Sequence, residues 1–337
     1  MGKDWHDVYR TDGSTAIKTA GDAAWAKDPP ELIIPSKDFV AEFTPPDYLI
    51  DRILQRRFIY SMTAPTGGGK TTILLRVAAH TALKLDIGDH ETAKGVVLYL
   101  AGENPDDIRM RWIALSHHMQ FDINAIDVNF IPGVFSIPDM MARIRREVQA
   151  LRGVDLVIVD RSAAYFGGAD ENDNKQMGDH ARMLRELTTL PGGPTVLVAC
   201  HPVKNAGNDN LLPRGGGAFI AEMDGNLVCL KRDSIVDLHC QGKFRGPDFE
   251  PIGFELVTVT APGLLDSRKR SIPSVICAPL SDKGREDIKA NARKDENAII
   301  DLMNKCPNAS IKGMAEMRPS WPHSEPGGET IPRQPSG

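Results

Sequence analysis

Residues 64–72 read Ala64-Pro65-Thr66-Gly67-Gly68-Gly69-Lys70-Thr71-Thr72. Consecutive glycines let a backbone curl until several N–H groups point at one oxyanion, and a following ammonium and hydroxyl complete a polyphosphate cradle. The spacing is that of the phosphate-binding pattern GxxxxGK[ST], with Ala64 where the first glycine usually stands. Residues 64–72 are therefore candidate ligands of a nucleoside triphosphate. Lys70 would reach the β- and γ-phosphates, and the Thr71 hydroxyl would bind Mg²⁺. Alanine at position 64 is tolerable if the backbone there needs no positive φ. A second element, Leu156-Val157-Ile158-Val159-Asp160, is an apolar run ending in a carboxylate. It reads as a buried strand that delivers Asp160 to the sheet edge where ligands collect, as the second Mg²⁺ group.

Hydrolysis also needs a group that orients water. AAA+ proteins place a Glu directly after the strand-end Asp, but here Arg161 follows Asp160. The nearest alternative is Glu103, just past the apolar run Val96 to Ala101, where it could serve as general base. His201 ends another apolar run, Thr195 to Cys200. The glycine-rich stretch Arg214-Gly215-Gly216-Gly217 reads as a mobile loop, with Lys204 and Arg214 as its candidate phosphate contacts. Lys243-Phe244-Arg245 follows a further strand.

In these residues and their order, roughly positions 45–260 resemble the RecA-like P-loop ATPases of the plasmid RepA and DnaB type, the hexameric replicative helicases. The resemblance implies ATP and Mg²⁺ as ligands, Glu103 as the catalytic carboxylate and His201 as a γ-phosphate sensor. It also implies Lys243 and Arg245 as a cationic finger acting in trans within a homo-oligomer, a hexameric ring. Single-stranded DNA would lie along the Lys204 and Arg214 loop. Residues 167–174, an acidic stretch, resemble the loop after the strand-end Asp in that family, and read as a channel-facing or subunit-contact loop. The expected function is ATP hydrolysis coupled to nucleic-acid handling, a DNA helicase or related ATPase. The alternative is an ATP-dependent switch, loader or recombination-type ATPase that unwinds nothing. A small-molecule kinase fits less well, since no lid arginines are apparent. The guanine-reading pattern Asn-Lys-x-Asp is absent, because Asn174-Lys175 continues as Gln176-Met177.

Apolar runs of strand length (58–62, 96–100, 156–159, 195–199) alternate with helical patterns near 71–85, 106–119, 139–151 and 176–189. Such alternation predicts an α/β fold, a RecA-like core with a mainly parallel twisted sheet flanked by helices. Three later runs, 226–231, 235–241 and 254–259, predict antiparallel strands added at one edge. Leu49, Ile50, Ile53 and Leu54 have the spacing of a short helix ahead of the core. The expected organisation is an extended lead-in over 1–44, the ATPase core over 45–265, a charged linker over 266–294, a short helical arm or truncated winged helix over 295–318, and a disordered tail over 319–337.

The chain of 337 residues carries 40 Lys and Arg against 45 Asp and Glu, a net charge of −5. Binding of nucleic acid by bulk positive charge is excluded, and any contact must be a local patch. The 5 cysteines are scattered without a CxxC, which speaks against a disulfide framework or zinc site. No apolar run approaches the ~20 residues of a membrane span. The expectation is a cytoplasmic protein with no membrane association.

Overall fold

The computed structural model describes residues 33–41, 43, 45–282 and 284–286. The expected arm over 295–318 and tail over 319–337 lie outside the described residues, as does most of the lead-in. Within the lead-in, Ser36–Ala41 forms a six-residue helix, α1, rather than extended chain. It falls in a compact unit that ends at Asp47, separate from the unit that holds the core.

The core begins with a hairpin, not a helix. Strand β1 (Tyr48–Ile50) pairs antiparallel with β2 (Leu54–Gln55). Leu49, Ile50, Ile53 and Leu54 are all buried, so the i, i+4 spacing is genuine. A tight turn that brings both ends inward produces the same spacing. Arg52 takes left-handed backbone (φ 59°), which a helix interior does not admit.

The main sheet contains nine strands in the order β11-β10-β9-β8-β3-β7-β6-β4-β5. Strands β3 (Ile59–Thr63), β4 (Val97–Ala101), β6 (Leu156–Asp160) and β7 (Thr195–Cys200) are buried at every position. That is why each reads as an unbroken apolar run. Their side chains still divide between two faces. Tyr60, Met62, Tyr99 and Ile158 pack with helices α2 (Lys70–Leu83) and α3 (Pro105–Met119). Ile59, Leu98, Leu100, Val157 and Val159 pack with α4 (Ile137–Ala150) and α5 (Asn174–Arg185). Asn104 caps α3 by accepting from the amides of Asp106 and Asp107, and Ser136 caps α4.

Strand β5 (Val128–Pro132), which adds parallel to β4 at the sheet edge, has no counterpart in the sequence reading. Another differs in direction. Strand β8 (Gly225–Arg232) runs parallel to β3, and the antiparallel extension starts only with β9 (Ile235–Phe244). Strands β10 (Ile252–Leu265) and β11 (Ser271–Pro279) complete it.

Strand β11 corrects the linker expected over 266–294. The charges cluster in the turn, where the Asp266 carboxylate accepts from the Arg268 and Arg270 amides and the Arg270 side chain. The residues beyond it form a strand whose Ile276 and Cys277 are buried. The extension folds back over α2 and α3: the guanidinium of Arg76 donates to the Cys277 carbonyl (2.8 Å) and that of Arg111 to the Val275 carbonyl (3.0 Å). This placement puts one wall of the extension beside the glycine-rich loop.

Candidate functional site: a phosphate cleft at the strand ends

The glycine-rich loop connects β3 to the N-terminus of α2. Gly67 (φ 75°) and Gly69 (φ 85°) both occupy left-handed backbone. Ala64 is buried and is not among the residues of positive φ, so alanine stands there without backbone strain. Gly69 caps the helix without a side-chain acceptor, leaving the first amides of α2 directed at the loop. The ammonium of Lys70 donates to the carbonyls of Ala64 (2.5 Å) and Pro65 (3.1 Å). Burial lowers its pKa, and the nearby Asp160 and Glu103 act in the opposite direction. Thr72 turns its hydroxyl back onto the Gly69 carbonyl (2.7 Å), which holds the loop's last turn.

Asp160 is 1 % exposed and ends β6. The peptide bond that joins it to Arg161 is cis. Its Oδ2 accepts from the Tyr99 hydroxyl at 2.7 Å. Burial raises the Asp160 pKa, and the Tyr99 hydrogen bond and the nearby Thr71 hydroxyl pull it back. Thr71 and Asp160 thus meet as the sequence reading expects. Among the described residues no group of three or more His, Cys, Asp or Glu could hold a metal unaided. A hydroxyl and one carboxylate are hard oxygen donors that suit Mg²⁺, an ion that takes its remaining ligands from phosphate and water. The donor set fits Mg²⁺ bound together with a nucleotide, and it does not fit a zinc centre.

Just past the ends of three neighbouring strands, β4, β6 and β7, stand Glu103, Arg161 and His201. These side chains join: Arg161 Nη1 lies 3.2 Å from Glu103 Oε1 and 3.0 Å from His201 Nε2. His201 is pushed down to about 4, first by burial and then by the charges of Lys70, Arg161 and Arg214. Its imidazole is neutral at physiological pH and can accept the Arg161 N–H. Residues 66–72, Glu103, Arg161 and His201 line one open cleft of about 560 Å³. The cleft is also lined by Arg111 from α3, Lys231 from β8, and Leu256 and Val275 from the extension.

The remaining candidates lie elsewhere. Strand β8 starts beside Tyr60 and runs parallel to β3, so the Gly225–Phe244 pair marks the sheet edge opposite the loop. Lys243 and Arg245 sit at that far edge and do not meet the cleft of their own chain. The Arg245 guanidinium binds the buried Asp224 (3.1 Å), which Arg185 also contacts, and Lys243 donates to the Ala221 carbonyl. Arg214 pairs with Glu171 of the acidic loop (3.0 Å), while Lys204 is exposed on the segment after β7.

Arg161, Arg111 and Lys231 were not legible as cleft residues. Arg161 has a local signal, its position beside a strand-end Asp, but its partners come from other strands. Arg111 comes from α3 and Lys231 from β8, neither of which carries a local motif that points to the loop.

A parallel sheet whose central strand runs through a glycine-rich turn into a helix N-terminus, with a buried strand-end carboxylate beside it, defines a P-loop nucleotide-binding core. A family model described as an AAA domain matches residues 27–207, more than half of the chain, and the chain belongs to that family of P-loop ATPases. The match takes in the loop, Glu103, Asp160 and His201, and ends before Arg214 and the Lys243–Arg245 segment. No curated protein matches the chain. No helix among the described residues is long and apolar enough to cross a membrane.

Proposed function

We propose that the chain is an ATP-driven motor of the RepA and DnaB helicase type that assembles as a ring and acts on single-stranded DNA. One observation carries this reading. The water-orienting candidate, Glu103, stands just past β4 in the loop's own cleft, while Arg245 stands at the opposite end of the sheet, out of reach of its own chain's cleft.

In this reading the loop amides and Lys70 bind the β- and γ-phosphates. Thr71 and Asp160 hold Mg²⁺, which supplies charge neutralisation on the phosphate oxygens. Glu103 orients water and accepts its proton. His201, neutral, donates its ring N–H to the terminal phosphate. Arg245 of an adjacent subunit stabilises charge that develops on the transferred group. Lys204 and Arg214 contact the DNA backbone once the Arg214–Glu171 pair opens.

Phosphate release measured with and without single-stranded DNA, alongside sizing with and without ATP, tests the reading. A several-fold stimulation that falls steeply with salt, by a species several times the monomer mass, is expected. ATP hydrolysis indifferent to DNA would point instead to a switch or loader.

A further inference from the structure

Arg161 occupies the middle of a three-strand row. Its Nη1 contacts both Glu103 (3.2 Å) and His201 (3.0 Å), so one nitrogen of the guanidinium serves both neighbours. A guanidinium has five N–H donors arranged as a planar fork that matches phosphate oxygens. Here the Nε is buried with no hydrogen-bond partner. The side chain therefore has unused donors, and it lines the same cleft as the loop and Lys70. The pairing also occupies Glu103: a carboxylate oxygen held by a guanidinium is less free to hold water.

We propose that Arg161 is a phosphate-responsive positioning residue, which ties Glu103 and His201 together and turns to the terminal phosphoryl group of a bound triphosphate, freeing Glu103 for water. This rests on the reading of the cleft as a triphosphate site served by Glu103. The charge balance favours the exchange. Glu103 offers one negative charge on a side chain 47 % exposed to solvent, whereas a terminal phosphoryl group offers more charge and three acceptor oxygens. A diphosphate lacks that group and leaves the Arg161–Glu103 pair closed. The arrangement makes the readiness of the base depend on the ligand that needs it, and it keeps Glu103 engaged while the cleft is empty or holds product.

Calorimetry with Mg²⁺ and either a non-hydrolysable ATP analogue or ADP tests the proposal. The intact chain should bind both. Arg161→Ala should lose about 10-fold or more in affinity for the triphosphate analogue, with ADP affinity unchanged. Glu103→Gln separates the latch from simple charge repulsion. It should tighten triphosphate binding in the wild-type background and leave it unchanged in the Arg161→Ala background, a non-additive cycle. Arg161→Lys, which keeps charge but lacks the fork, replaces the alanine variant if that fails to fold, and should also lower the triphosphate preference. Equal losses for the two nucleotides, an undiminished preference, or an additive cycle would overturn the latch. Failure of the wild-type chain to bind either nucleotide would instead overturn the underlying reading of the cleft.

Discussion

Replacing Tyr99 with Phe removes a single oxygen from a fully buried ring and leaves the Asp160 carboxylate one donor short. The lost bond is 2.7 Å long and ends on an anionic group that is 1 % exposed. Hydrogen bonds to charged groups contribute about 1.5–3 kcal/mol, and no water can replace the donor at full burial. In a domain of this size each kcal/mol moves Tm by roughly 2–4 °C, so Tyr99→Phe should melt roughly 3–12 °C lower. The pH dependence follows from the direction of the Asp160 shift. Its folded pKa is raised by burial above the unfolded value, so the folded state binds the proton more readily. Asp160 therefore lowers stability as pH rises from the ordinary carboxylate range through its folded pKa. Tyr99 hydrogen-bonds the ionised form and opposes that loss. The deficit of Tyr99→Phe should accordingly be smaller in acid, where Asp160 is protonated in both proteins, and larger near neutral pH. Thermal melts of the two proteins across pH measure it. A variant that melts with the wild type at neutral pH, or whose deficit grows on acidification, would refute the role given to this hydrogen bond.

Other perturbations probe separate parts of the molecule. Gly69→Ala should cost about 1–2 kcal/mol in urea titrations from its left-handed backbone, since an added Cβ would meet Val236 and Leu256 only at ordinary contact (3.4–3.5 Å). An unchanged midpoint would show that the loop relaxes freely. Arg76→Met keeps the stem and removes the donor to the β11 carbonyl of Cys277. It should lower stability by about 1–3 kcal/mol, and no change would mean that β11 is not docked on α2. Arg245→Ala should reduce kcat by ~10³-fold in assembled protein. Mixing it with Lys70→Ala subunits should restore phosphate release, because intact cleft and intact finger then meet at shared interfaces. Mixtures no more active than either variant alone would remove Arg245 from a role in trans.

How much of this could be read beforehand depended on burial. Strands β3, β4, β6 and β7 are covered on both faces, so each appears as an apolar run whose end marks a functional position. Asp160 and the glycine-rich loop were legible for that reason. At the sheet edges the signal fades. Strand β5 mixes Asn129 and Pro132 with half-buried Val128 and Phe130, and β11 follows a charged turn that masks its buried Ile276 and Cys277. The Leu49–Leu54 segment shows the converse, since its buried residues fit two periods and only the left-handed Arg52 decides for the hairpin. Local patterns in sequence also hide side chains joined across strands. Arg161 meets His201 40 residues away, and its link to Glu103 exists only because β4 and β6 are neighbours in the sheet.

Everything proposed here requires that the cleft at the end of β3 take up a magnesium-bound adenosine triphosphate through Lys70. Isothermal titration of the folded chain with Mg²⁺ and a non-hydrolysable ATP analogue measures this directly. One site per chain is expected, lost in a Lys70→Ala variant whose circular dichroism matches the wild type. Well-folded wild-type protein that takes up none of the analogue, or a Lys70→Ala variant that binds it as tightly, would contradict the assignment.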